Sequence, residues 1–282
     1  MSEHEQRDIA RLRRRIAELD AEAHVREGRI TRLVAEALDR EVEMRDLEAV
    51  RDVLAPTELR SRPGLALECA FHPAADGVAG DFYLVAPGPD DDSTVLAVGD
   101  VAGKGVEAAR RATFVRTSLA TFAGFIDEPC RLLELANQVL VERTGTSSTF
   151  VTAVVVVLRP HEGTLEWASA GHPPPLRLDT GEMLNGRRPG PPLGVDATLL
   201  CDGAHEPLAA GAGVLLFTDG LVEAHLPRRE LFGEVRLATA LRELDGSSPH
   251  EVVRRLEADV HDHAGASLHD DLCIVAARVN AA

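Results

Sequence analysis

Aspartates stand beside glycines or at the edge of apolar runs in four short segments of the 282-residue chain: Ala79-Gly80-Asp81, Gly99-Asp100-Val101-Ala102-Gly103-Lys104-Gly105, Thr218-Asp219-Gly220 and Asp270-Asp271. Carboxylates that arrive singly from separate segments suit a hard divalent cation. Mg²⁺ and Mn²⁺ take carboxylate, carbonyl and water oxygens in octahedral geometry, so a centre needs few acids but needs backbones that converge. Strand ends supply that convergence. Val95-Leu96-Ala97-Val98 runs into Gly99-Asp100, and Gly213-Val214-Leu215-Leu216-Phe217 runs into Thr218-Asp219-Gly220, so each acid is expected where a buried strand reaches a loop. A neighbouring glycine lets a carbonyl or a water approach closely. A single Asp-Gly could equally be an Asx turn after a strand; the ordered set is what points to a cation centre.

The set also carries a family likeness. Ala79-Gly80-Asp81-Phe82-Tyr83, Gly99 through Ala109, Phe150-Val151-Thr152-Ala153, Ala170-Gly171-His172-Pro173-Pro174-Pro175, Leu216 through Ala224, Leu231-Phe232-Gly233 and Asp270-Asp271-Leu272 occur in this order. Together they resemble the PP2C-like (PPM) protein serine/threonine phosphatases, and more narrowly the bacterial stage-II-sporulation-E and sigma-B-regulator branch, over about residues 57–279. The resemblance implies two stacked antiparallel β-sheets flanked by helices, with two ions of Mn²⁺ or Mg²⁺ at one edge of the sandwich. It assigns Asp100 as the bridge between the ions, the Val101 carbonyl as a further ligand, Asp81 to the second ion, and Asp219 and Asp270 to the first. A water activated by both ions would attack phosphorus directly, with no phosphoenzyme. Asp271 is the alternative to Asp270, because neighbours on an extended chain point to opposite sides; the family pattern selects Asp270.

Other residues depart from that pattern or admit two readings. Leu84 stands where the family often has an acid, Cys273 where threonine is usual, and no arginine matches the phosphate-binding arginine of eukaryotic relatives. Lys104, the sole lysine of the chain, lies between two glycines and could meet substrate phosphate. His172 reads either as a general acid for the leaving serine oxygen or as a residue that orients a proline-rich loop. His261, His263 and His269 resemble a zinc cluster but lack the helical His pair with a catalytic glutamate, and a solvated helix end accounts for them. Glu223 is expected behind the ligands rather than among them.

These residues need elements to hold them. Residues from about 5 to 55 follow a heptad grid, with Ile9, Ile16, Ala23, Ile30, Ala37 and Met44 at one seam position and Leu12, Leu19, Leu33, Leu47 and Leu54 at the other. The expected result is a coiled-coil helix over 1–56, able to make a homodimer or to receive an activator protein, ahead of a phosphatase domain over 57–282. Within that domain, strands are predicted at Leu65–Phe71, Val95–Val98, Phe150–Leu158, Thr164–Ala170, Leu176–Leu178, Val214–Phe217 and Leu272–Val279. Helices are predicted at Gly105–Ala123, Leu132–Val141, Leu231–Leu244 and Pro249–His263. Strands in runs rather than in alternation with helices give an α+β layered fold.

At the level of the whole chain, a formal charge of −16 disfavours nucleic acid and anionic membrane as partners, and with them a nuclease reading of the acids. The longest apolar run, Val151 to Leu158, is too short to cross a bilayer and no signal peptide is evident, so a cytoplasmic location is expected. Cys69, Cys130, Cys201 and Cys273 are widely separated and predict buried thiols rather than a disulfide framework. The function that follows is a metal-dependent protein serine/threonine phosphatase acting on a phosphorylated regulatory protein, which in this branch is an anti-sigma-factor antagonist. The alternative is a catalytically weak scaffold of the same fold that binds a phosphoprotein.

Overall fold

The computed structural model describes residues 62–74, 79–146, 149–186, 190–226, 230–265 and 270–280. The predicted coiled coil and the domain boundary at 56/57 lie outside the described residues.

In chain order the elements are β1 (Leu65–His72), β2 (Phe82–Pro87), β3 (Thr94–Val101), α1 (Val106–Ala123), α2 (Pro129–Thr144), β4 (Val151–Arg159), β5 (Thr164–Ala170), β6 (Leu176–Arg177), β7 (Ala204–Pro207), β8 (Gly213–Phe217), α3 (Asp219–Val222), α4 (Gly233–Glu243), α5 (Pro249–Ala264) and β9 (Leu272–Val279). They build two sheets, one in the order β1-β9-β8-β6 and the other β2-β3-β4-β5-β7. Every strand pairing within them is antiparallel.

The side-chain period of two explains why the central strands read as unbroken apolar runs. Both faces of each are buried. On β3 and β4, Val95, Ala97, Val151, Ala153, Val155 and Val157 pack with Val115 and Leu119 of α1 and Leu132, Leu133 and Leu140 of α2. The alternate residues Leu96, Val98, Val154, Val156 and Leu158 face the second sheet, where Leu216, Cys273, Val275 and Ala277 meet them. Leu215, Phe217, Leu272, Ile274 and Ala276 complete a third layer against Leu237 and Leu241 of α4 and Val252, Val253, Leu256 and Val260 of α5. The result is helices, sheet, sheet, helices.

Helix ends follow their local chemistry. Pro129 and Pro249 sit in the first turns of α2 and α5, where a missing N–H costs nothing. Ser248 and Glu251 form a reciprocal capping box on α5. Proline therefore starts α2 three residues before the first apolar-periodic position. Glycine delays α4 to 233. Three elements were not foreseen: β2, β7 and the single-turn α3.

One expectation is corrected. Cys130, at the start of α2, is disulfide-bonded to Cys201, 71 residues further on, with a Cα separation of 5.6 Å. Only Cys69 and Cys273 are free thiols, the first half-buried and the second buried. Spacing along the chain carries no information about a pair that the packing of α2 brings together.

Candidate metal centre at the sheet edge

Strand alternation determines where the acids emerge. Asp100 continues the Leu96, Val98 row and Asp81 precedes Tyr83, so both extend the inter-sheet side of the sandwich past its edge. From the other sheet, β8 runs into Thr218 and Asp219, and β9 begins just after Asp270-Asp271. Thr218 is fully buried and clamps these two strand ends. Its N–H donates to the Cys273 carbonyl (3.1 Å), and its hydroxyl oxygen accepts the Cys273 N–H (3.0 Å). Gly220 lies against the Asp271 carbonyl so closely that a Cβ there would collide with backbone, which brings the first turn of α3 onto the start of β9.

The neighbouring acids Asp270 and Asp271 point to different tasks. Asp271 is buried, and its carboxylate accepts the backbone N–H groups of Ala74 (2.7 Å), Gly80 (2.7 Å) and Asp81 (3.4 Å). It is spent on holding the segment that carries Asp81. Asp270 is exposed and one of its oxygens accepts the Asp271 N–H (3.0 Å). At Gly80 a Cβ would stand 3.3 Å from the Val101 carbonyl and 3.5 Å from an Asp100 carboxylate oxygen, so the backbone just ahead of Asp81 runs close past both groups.

Electrostatics mark this edge as a place short of positive charge. Burial pushes Asp81 well above the usual carboxylate range; a hydrogen bond from Thr218 eases this, and the charges of Asp100, Asp271 and Asp219 add to it. Burial likewise raises Asp100, partly offset by a hydrogen bond with Asp81 and reinforced by Asp270 and Asp271. Asp219 is pushed up to about 6, first by burial and then by Asp100, Glu223 and Asp270. The Asp81 Oδ2 atom is buried without a hydrogen-bond partner. A buried, unpartnered carboxylate oxygen amid other acids is costly unless a cation or proton joins it. Among the described residues no three Asp, Glu, His or Cys side chains are already drawn into a ready-made coordination group. The oxygen donors present suit a hard cation.

The other candidates separate clearly. Lys104 is exposed on the loop between β3 and α1. Glu223 is exposed and acts on the cluster through its charge on Asp219. Leu84 packs against the helix-side core of its sheet. His263 Nε2 donates to the Glu230 carbonyl (2.8 Å), the His261 ring lies 6.2 Å from that of His72, and His269 is outside the described residues.

His172 requires a correction. The reading that presents it to substrate fails, because the side chain is 3% exposed and both ring nitrogens are engaged, Nδ1 with the Thr152 hydroxyl (2.9 Å) and Nε2 with the Phe217 carbonyl (3.0 Å). Burial lowers its pKa to about 4, against a smaller upward pull from the Phe217 carbonyl, so the ring is neutral. Sequence reasoning placed Thr152 and Thr218 within motifs but gave neither a role. The one available signal was position, since each sits at a strand end and Thr218 directly precedes an acid.

Two stacked antiparallel sheets between helical layers, with aspartates from four segments along one edge, define the PP2C-like class of phosphatase folds. Residues 90–280 match the stage II sporulation protein E (SpoIIE) family, and the chain belongs to that family of PP2C-type phosphatases. Among curated relatives, Protein IcfG of Synechocystis sp. is 25% identical over 285 residues, covering 88% of this chain and 44% of its own length. Phosphoserine phosphatase RsbU of Bacillus subtilis is 24% identical over 231 residues, covering 81% of this chain and 68% of its own. The chain thus spans less than half of IcfG and about two thirds of RsbU. Among solved structures, the RsbU and RsbW domains of Rv1364c from Mycobacterium tuberculosis superpose with a TM-score of 0.68 at 26% identity, over 81% of this chain and 63% of that one.

Proposed function

We propose that the chain is a Mn²⁺- or Mg²⁺-dependent protein serine/threonine phosphatase that hydrolyses phosphoserine or phosphothreonine on a regulatory protein, of the anti-sigma-factor-antagonist class in this branch. The observation that carries the reading is Asp81, a buried carboxylate with an unpartnered oxygen and with the charges of Asp100, Asp271 and Asp219 acting on it. Membership of the SpoIIE family and the likeness to a phosphoserine phosphatase support it. Asp81, Asp100, Asp219, Asp270 and the Val101 carbonyl are the groups that would hold two cations. Such cations supply the charge that acidifies an attacking water and offsets the phosphoryl oxygens during in-line displacement.

The protein's own part is positioning. Asp100 is held within β3 by pairing to β4, and Asp219 opens α3 just past β8, whose end is held by pairing to β9. Asp271 fixes the segment ahead of β2, and with it Asp81. Lys104, exposed beside the edge, is the side chain available to an incoming phosphate, and no buried general acid is required.

Hydrolysis of para-nitrophenyl phosphate with and without Mn²⁺, alongside Asp100→Asn, tests the proposal. Turnover that needs the metal and disappears in the variant is the expected result. Absence of both turnover and calorimetric Mn²⁺ binding would favour a phosphoprotein-binding scaffold.

A further inference from the structure

The chain passes from one sheet to the other once it leaves β5, and His172 stands in that crossover. Its backbone is clamped on both sides. The Ser169 hydroxyl donates to the His172 carbonyl (2.6 Å) and accepts the His172 N–H (3.0 Å). Gly171 adopts φ 74°, and a Cβ there would stand 2.7 Å from Pro192, so only glycine makes the turn that aims the imidazole inward.

The hydrogen bonds define the tautomer. The Phe217 carbonyl can only accept, so Nε2 carries the proton and Nδ1 accepts from Thr152. The single hydroxyl proton of Thr152 is then committed at 2.9 Å, and its 3.5 Å approach to the Asp100 carbonyl is proximity only. Thr152 nevertheless fixes Asp100, because the two residues are direct partners in the β3–β4 register. On the other side, Phe217 lies two residues before Asp219, with Thr218 between them locked to Cys273. One ring therefore bridges the strand pair that presents Asp100 and the strand that presents Asp219, in different sheets.

We propose that His172 is a positioning residue for the aspartate cluster: the imidazole ties the Asp100 strand end to the Asp219 strand end across the two sheets and so sets the separation of these carboxylates. This rests on the metal-dependent reading above. A bridge at this depth acts on the geometry of the carboxylates before any cation arrives. Its loss lowers cation affinity in molecules that remain folded. Partners that orient ligands from behind typically contribute about 10–100-fold in metal affinity.

The test is Mn²⁺ titration calorimetry on the full chain at neutral pH, with the metal-free melting temperature recorded for each protein. His172→Phe keeps a ring but neither hydrogen bond, Thr152→Val removes only the hydroxyl, and His172→Gln retains an N–H for the Phe217 carbonyl. About tenfold or greater weakening of Mn²⁺ binding in folded His172→Phe, with part of the affinity restored in His172→Gln, is the expected result. A purely structural imidazole would lower the melting temperature and leave the Mn²⁺ dissociation constant of the folded protein at its wild-type value, which would overturn the proposal. Should His172→Phe not fold, Thr152→Val decides: weakened binding supports the bridge and wild-type binding overturns it. Wild-type protein that binds no Mn²⁺ overturns the metal-dependent reading itself, and this proposal with it, an outcome distinct from variants that bind normally.

Discussion

At the residue scale the centre is built from side chains whose placement is unfavourable in isolation. Asp81 pays a burial cost with one oxygen unpartnered, so Asp81→Asn should stabilise the metal-free protein at neutral pH by about 1–3 kcal/mol while abolishing Mn²⁺ binding. Chemical denaturation without metal, paired with calorimetry, checks both halves; a destabilised variant would contradict the geometry. His172 supplies a pH dependence of the opposite kind. Its pKa falls from 6.5 to about 4 on folding, so below about pH 6.5 the unfolded chain binds the proton that the folded one refuses. Stability from this group is intact above 6.5 and declines as pH falls toward about 4, by about 3 kcal/mol in all. Raised carboxylates such as Asp219 titrate in the same window with the reverse sign. The informative quantity is therefore the difference between wild type and His172→Gln from pH 7 to 4; parallel curves would show that the imidazole is not held neutral.

At the element scale, the junction between β9 and the segment before β2 is the point where local sequence stops being informative. The runs that became β3, β4, β8 and β9 were legible because burial on both faces makes them continuously apolar. β7 was not, since Ala204-His205-Glu206-Pro207 carries no apolar row, and α3 is a single turn whose period cannot be read. Four aspartates could be picked out because each is marked by a glycine or a strand end. The division of labour between Asp270 and Asp271 could be narrowed by alternation but not explained, because the amide partners of Asp271 lie about 190 residues earlier in the chain. Thr218 and Thr152 were hidden in the same way, their partners Cys273 and His172 lying 55 and 20 residues further along the chain. Asp271→Ala should cost about 2–4 kcal/mol in denaturant unfolding, because it strips a charged acceptor from buried amides, whereas Asp270→Ala should leave stability within about 0.5 kcal/mol and weaken Mn²⁺ binding instead. Equal stability losses in the two variants would refute that division.

At the scale of the whole molecule, the core of the described residues is divided into three apolar layers, and no described helix packs into the middle one. Leu96→Ala, between the sheets and fully buried, is expected to cost about 2–5 kcal/mol by thermal or denaturant unfolding. The bond between Cys130 and Cys201 joins α2 to the chain ahead of β7, so reductant should lower stability by about 2–4 kcal/mol, and Cys130→Ser should show no further response to it. The outermost strands have a consequence of their own. β2 ends at Pro87, β7 ends at Pro207 and β6 is two residues long. Proline has no N–H to offer an incoming strand, and so short a strand offers almost no template. Among the described strands, then, three of the four rims resist growing sideways into fibrils or swapped sheets.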